Sequence, residues 1–297
     1  MSSIAIVTPS YNQGKYISRT IESVLSQGVS NLDYMIVDGG SRDETTQVLK
    51  TFGDRVRWIS EPDKGMADAV NKGFLATQGD IVGWLNSDDI YYPETLQTVL
   101  EFFNAHPEID VVYGGAHHID ANGRLLEVYP TEPFSWNRLI DTCIISQPAS
   151  FFRRRTIERF GPLDAALPTS EDYELWIRWA KNGAKFQYLD KFLAATRLHA
   201  EARTIAERVA CHKANNDILK HHLGSVPIRW LFAYAYAVVE ERNPTRARGL
   251  AFTSAMTLEF VKASLRWNHR VPLGLFQMIG SYIARNFRDR PSTKRNR

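Results

Sequence analysis

The chain has 297 residues, 44% of them hydrophobic and 23% charged, with a net charge of +3 at neutral pH and a pI near 8.8. Those proportions are ordinary for a globular chain and exclude disorder of the whole, and so small an excess of cations gives no argument for nucleic acid as a partner. Cys143 and Cys211 are the two cysteines; with no CxxC and no histidine cluster at ligand spacing they argue against a disulfide framework and a structural zinc site, and read as reduced core residues of a cytoplasmic protein.

The opening MSSIAIVTPSYN has no basic region, long apolar core or small-residue cleavage site, so no signal peptide is expected. A strand is predicted over 4–7, breaking at Thr8, Pro9 and Ser10, and a helix follows on Ile17, Ile21, Val24 and Leu25. A second strand over 34–37 ends in Asp38, Gly39, Gly40 and Ser41, before a polar helix over 43–52. A third, over 56–60, leads through the loop 61–65 to a helix carrying Ala69, Val70 and Phe74. The run Ile81, Val82, Gly83, Trp84, Leu85 is of strand length and ends abruptly in Asn86, Ser87, Asp88 and Asp89; a helix over 93–105, with Pro93 suited to its first turn, and a fifth strand over 110–113 follow.

Four strand, loop, helix units in succession require an α/β fold, a mostly parallel sheet with helices on both faces. Their loops share one edge of that sheet, so Thr8, Asp38, Lys64, Asp88 and Asp89 are expected to converge on one crevice, where ligands of open α/β sheets bind. The plainer reading of Asp88 and Asp89, solvated loop acids before a helix, is weakened by that convergence.

Beyond Tyr113, Asn122 and Gly123 predict a hairpin between 116–120 and 125–129. An irregular stretch over 130–150, a strand over 149–152, a helix opening at Thr169 to Asp172 and reaching about 181, and short strands over 186–189 and 192–195 follow. From about residue 205 the pattern is helical only, with apolar stretches over 228–239, 250–261 and 271–283, each too short to span a bilayer. Two domains are expected, 1–205 and a helical region 206–297. The latter is either a cap on the main domain or a set of helices lying in a membrane interface; Trp230, Trp267 and the basic tail weigh toward the membrane.

Neither GxGxxG after the first strand nor GxxxxGK[ST] is present, so a dinucleotide site and a P-loop are unsupported. A divalent cation, Mg²⁺ or Mn²⁺, on the hard oxygens of Asp88 and Asp89 would hold phosphates in their place.

The segments IAIVTPSYNQGKYISRTIESVLSQ, YMIVDGGSRDET, EPDKGMADAVNKG, GDIVGWLNSDD, QPASFFRRR, SEDYELWIR and RLHAEART, in this order over about residues 1–205, resemble a family 2 glycosyltransferase of the GT-A fold. The resemblance implies transfer of a sugar from a nucleotide-diphosphate donor to an acceptor hydroxyl with inversion at the anomeric carbon. It implies that Thr8, Pro9 and Tyr11 lie along base and ribose, that Asp38 reads the nucleobase, and that Asp88 and Asp89 form a DXD-type motif. In that motif Asp89 would ligate the metal and Asp88 would sit near the ribose or the cation. Arg197 and Arg203 would meet the diphosphate, His199 would be a third metal ligand, and Lys64 a donor-phosphate contact. Gly39 stands where many relatives carry a second acid, and Asn86 where a full DXD motif has its first.

Asp172 is the implied general base, since an inverting displacement needs a carboxylate to take the hydroxyl proton. Its alternative is structural: Thr169 and Asp172 also fit a capping box, and the helix terminus would keep Asp172 ionised while limiting its basicity. Arg153, Arg154 and Arg155 read as a charge run before an acceptor contact, and Trp84 as core. The acceptor expected from the resemblance is a glycan or lipid-linked sugar of the bacterial surface at the inner face of the membrane. The rival reading is a catalytically silent sugar- or nucleotide-binding module on the same fold. A dehydrogenase is disfavoured by the missing glycine fingerprint.

Overall fold

A computed structural model describes residues 2–242 and 250–272. The chain divides into two compact units, one ending at Ala206 and the other beginning at Glu207.

The first unit opens with β1 (Ile4–Ser10), α1 (Gly14–Leu25), β2 (Leu32–Asp38), α2 (Thr45–Thr51), β3 (Arg57–Ser60), α3 (Met66–Ala76) and β4 (Ile81–Trp84). Every residue of β1 and β4 is buried, as befits central parallel strands covered on both faces. A two-residue strand β5 (Ile90–Tyr91) and helix α4 (Thr95–Ala105) lead to the long β6 (Val111–Ile119) and its hairpin partner β7 (Leu125–Val128). Then come α5 (Trp136–Asp141), β8 (Ser150–Arg153), α6 (Arg154–Phe160), α7 (Glu171–Lys181), β9 (Phe186–Arg197) and α8 (Arg203–Ala206).

The nine strands form one sheet in the order β3-β2-β1-β4-β8-β6-β9-β5, with β7 beside β6. Strands β1, β2, β3, β4, β6 and β9 run in one sense, and β5, β7 and β8 oppose them. The mostly parallel α/β sheet expected from the sequence is therefore present, and the carboxyl ends of β1, β2, β3, β4, β6 and β9 share one edge. One face packs Ile4 and Ile6 against Ile17 and Ile21 of α1 and Val99 and Phe103 of α4. Elsewhere Phe152 of β8 meets Trp179 of α7 at 5.0 Å between ring centres, with Trp176 beside it. Each such side chain contributes about 1.5–3 kcal/mol by leaving water.

Several boundaries differ from those predicted. Strand β1 continues through Thr8, Pro9 and Ser10, because the parallel pairing with β2 extends to Ser10 opposite Asp38. The stretches over 110–113 and 116–120 are one strand, β6, although Gly114 and Gly115 interrupt its apolar pattern. A Cβ on Gly114 would stand 2.6 Å from Leu193 and one on Gly115 2.9 Å from Phe192. The glycines thus admit the bulge at which β6 and β9 shift register, and β9 is likewise a single strand through the same irregularity. The arginine run opens α6, and its side chains bind carbonyls: Arg153 those of Phe103, His106 and Ile109, Arg154 those of Phe74 and Gly79, Arg155 that of Pro107.

The second unit contains α9 (Arg208–Leu223), α10 (Ile228–Arg242) and α11 (Leu250–Asn268). Trp267 of α11 donates its indole N–H to Asp217 of α9 at 2.7 Å and its ring meets Tyr234 of α10 at 4.9 Å. Trp230 packs near His212. Both tryptophans that weighed toward a membrane interface are buried, 8% and 3% exposed. Among the described residues no helix is long and apolar enough to cross a membrane. The apolar stretch over 271–283 lies almost wholly outside the described residues. The two cysteines form no disulfide.

Candidate active site

The sequence NSDD leaves the carboxyl end of β4 as a turn, closed by the Asp89 N–H donating to the Asn86 carbonyl at 3.1 Å. Thr20 of α1, fully buried, places its hydroxyl 2.8 Å from the carbonyls of both Ser87 and Asp89. Asn86 is locked into a ring of side chains: it accepts from the Trp84 indole at 2.7 Å and donates to Gln147 at 3.2 Å, and Gln147 donates to the Trp84 carbonyl at 2.6 Å. Trp84 is in the core as predicted. Gln147, unmarked in the sequence reading, belongs to the QPAS segment, and only the closing of this ring reveals its part in fixing the turn.

The two aspartates meet different surroundings. Asp89 is 2% exposed and accepts the backbone N–H of Arg197 at 2.8 Å. Burial, helped by the charge of Asp88, pushes its carboxyl well above the usual range, against the pull of Arg197 and Asn86. The Asp88 side chain is 18% exposed and its Oδ2 lies 3.0 Å from Nε2 of His199, just beyond β9. The Tyr16 ring of α1 backs both His199, at 4.8 Å, and the Arg197 guanidinium, at 5.3 Å.

Arg197 donates from Nε to the Asp88 carbonyl at 2.8 Å and from Nη1 to the Asp120 carbonyl at 3.0 Å. Its guanidinium thereby ties the ends of β4, β6 and β9 together. Arg203 donates to Glu171 at 3.2 Å and to the Pro168 carbonyl, so its fork faces the start of α7.

A carboxylate and an imidazole at hydrogen-bond distance form a donor set for Mg²⁺ or Mn²⁺, which take one or two protein ligands and complete their shell from phosphate and water. Among the described residues no three His, Cys, Asp or Glu side chains stand together as a ready-made metal site.

At the end of β2, Asp38 is fully buried. Its carboxylate accepts the Ser41 N–H at 2.9 Å, the Ser41 hydroxyl at 2.5 Å and the Ser60 hydroxyl at 2.6 Å, which joins β2 to β3. Thr8 turns its hydroxyl to Tyr34, 3.1 Å away inside the sheet layer. Pro9 is buried beside it, and Tyr11, 57% exposed, presents its ring to solvent. Lys64 is exposed in the loop between β3 and α3. Above Gly39 lies Asp63: a Cβ on that glycine would meet its carboxylate at 2.6 Å, so the space a second acid would use is already occupied.

Helix α7 begins at Glu171, with Ser170 as its N-cap at φ 64°. The Ser170 carbonyl accepts the Glu174 N–H at 3.1 Å, the first bond within the helix. Burial pushes Asp172 up to about 6, with the Glu171 charge adding; the N–H groups of Asp172 and Tyr173 and the Arg203 charge pull the other way. The helix terminus was expected to limit its basicity, and desolvation outweighs it.

The chain matches the family model described as glycosyl transferase family 2 over residues 5–160. It belongs to that family. Among curated relatives of this glycosyltransferase, an uncharacterised glycosyltransferase of Rickettsia conorii is 29% identical over 73% of the chain and 37% of its own length. The chondroitin synthase of Escherichia coli is 26% identical over 82% of the chain and 35% of its own length. The chain thus spans about a third of the length of these relatives. Among solved structures, S. aureus TarS residues 1–349 in complex with UDP-GlcNAc aligns with TM-score 0.62 at 17% identity, covering 96% of this chain and 88% of that one. The mannosyltransferase PcManGT of Pyrobaculum calidifontis in complex with GDP-Man and Mn²⁺ aligns with TM-score 0.62 at 16% identity, covering 96% and 81%. The α/β unit of this family 2 glycosyltransferase has the GT-A fold of these structures.

Proposed function

We propose that this glycosyltransferase moves a sugar, with inversion, from a nucleotide-diphosphate donor to an acceptor hydroxyl, using a divalent cation at Asp88. The observation that carries the reading is the 3.0 Å pairing of Asp88 with His199, brought together from strand ends 111 residues apart. TarS and PcManGT, crystallised with UDP-GlcNAc and with GDP-Man and Mn²⁺, support a donor and a cation of this class.

Asp88 and His199 would hold the cation, and Asp89, turned inward, keeps the turn and the end of β9 in register. A cation bound there supplies positive charge to the departing diphosphate. Tyr11 offers its ring to the nucleoside and Lys64 its charge to donor phosphate. Asp38 shapes the end of β2 through the two serines that saturate it, and so acts on the nucleoside pocket by its backbone position. Pro9 and Thr8 set the floor of that pocket from β1.

Asp172 is the base. Its carboxylate takes the proton of the acceptor hydroxyl as the oxygen attacks the anomeric carbon; the bond from that carbon to the diphosphate breaks, and its electron pair leaves on the diphosphate. Attack opposite the leaving group inverts the centre. A carboxylate raised to about 6 is mostly ionised at neutral pH yet more basic than a solvated aspartate, which suits this role. The acceptor proposed on the family resemblance is a glycan or lipid-linked sugar, with peripheral membrane contact for the whole protein.

In Asp172→Asn, donor turnover followed as nucleoside diphosphate release should fall by about 10²–10⁴-fold. Donor affinity by calorimetry should hardly change. Wild-type turnover in this variant would remove Asp172 from the mechanism.

A further inference from the structure

We propose that Arg203 is a positioning residue for the base, clamping Glu171 and the Pro168 turn so that Asp172 is fixed in place with one compensated charge beside it. The proposal rests on Asp172 being the base, and it replaces the diphosphate contact read for Arg203 from the sequence.

The argument is geometric. Ser170 is a non-glycine residue at φ 64°, in the left-handed region, immediately before the Glu171–Asp172 pair. Such a conformation is unfavourable for a residue with a side chain and persists only where neighbours over-determine it. Arg203 supplies that constraint from both sides: one arm of its fork reaches the Pro168 carbonyl ahead of the strained residue, and the other reaches Glu171 Oε1 after it, at 3.2 Å. A guanidinium suits the task because its planar fork can engage two acceptors at once, which an ammonium cannot do in the same geometry.

Burial makes the clamp consequential. The Glu171 side chain is 4% exposed and that of Arg203 36%. A buried carboxylate without a partner is strongly unfavourable, so Glu171 needs Arg203, and Asp172 feels both. Asp172 also acts on Tyr129, after β7, and Cys143, after α5. Burial holds Tyr129 well above its usual range and Cys143 up to about 12, so both stay neutral near pH 6. Burial raises the proton affinity of Asp172 most, and Glu171 and Arg203 are the charged groups that then adjust it. Their effects have opposite signs: Glu171 raises it and Arg203 lowers it.

The test uses the ligand-free full chain, labelled with carboxyl carbon-13 aspartate. The Asp172 resonance is the one lost in Asp172→Asn, and its titration midpoint is read by NMR. In Glu171→Gln the midpoint should fall, and in Arg203→Ala it should rise, by roughly half a pH unit or more in each case. Arg203→Lys, which keeps the charge and loses the fork, should lie between wild type and Arg203→Ala. If Arg203→Ala does not fold, Glu171→Gln and Arg203→Lys still decide. Midpoints unmoved from wild type in the folded variants would overturn the clamp. The base assignment fails separately: it falls if Asp172→Asn retains wild-type donor turnover, whatever the midpoints do.

Discussion

At Asp88 and Asp89, side chains one residue apart meet opposite environments: one faces His199 at the crevice, the other the backbone of Arg197 inside the unit. Their substitutions should separate accordingly. Asp89→Ala leaves the buried Arg197 N–H without its acceptor, a loss of about 1–3 kcal/mol, and should lower Tm by several degrees. Asp88→Ala should leave Tm close to wild type and abolish Mn²⁺-dependent nucleotide binding in a calorimetric titration. Metal-dependent binding that survives Asp88→Ala and is lost in a folded Asp89→Asn would reverse the two roles. The sequence placed both acids at a strand end on the crevice. Both lie in the turn between β4 and β5, where strand alternation does not decide which of them points inward. Which one depends on the turn that Asn86, Thr20 and Gln147 fix from three separate elements, and no local pattern encodes that. The same holds for Arg197, whose bonds to the carbonyls of Asp88 and Asp120 join strand ends far apart in the chain.

At the scale of elements, the parallel half of the sheet was legible because β1, β2 and β4 are continuous apolar runs ending in polar loops, a signal that burial on both faces produces. Helices α5 and α6 were not, since six- and seven-residue helices carry fewer than two periods of any pattern, and α6 begins within an arginine run that reads as solvated charge. The second unit carries its own pH signature. His212 of α9 is pushed down to about 4 by burial, with the charge of Arg208 adding, and its Nδ1 has no hydrogen-bond partner. An unfolded histidine titrates near 6.5, so between about 4 and 6.5 the unfolded chain binds more protons and stability must rise with pH. Acidification from pH 7 to 5 should therefore destabilise the wild type by about 2 kcal/mol through this group. Melting followed by circular dichroism should find His212→Leu less sensitive to that change than wild type. Equal acid sensitivity in the two proteins would show that His212 does not carry the effect.

At the scale of the whole molecule, the carboxyl edge of one sheet is the proposed donor site: nucleoside contacts from β1 and β2, the cation pair from the ends of β4 and β9, the base from α7. Family membership and fold stand on the match over residues 5–160 and on the alignments with TarS and PcManGT. Gly39, with Asp63 filling the space above it, stands where many relatives carry a second acid. The central claim is that this edge binds a nucleotide sugar together with a divalent cation. It is tested most directly by thermal unfolding of the full chain with Mn²⁺ and each of a panel of uridine-, guanosine-, cytidine- and thymidine-diphosphate sugars. A ligand at 100 times its Kd stabilises the native state by about 2.7 kcal/mol. At least one donor should raise Tm by several degrees in the presence of Mn²⁺ and not in its absence, and Asp88→Ala should lose that rise; a flat response across the panel with Mn²⁺ present would contradict the account.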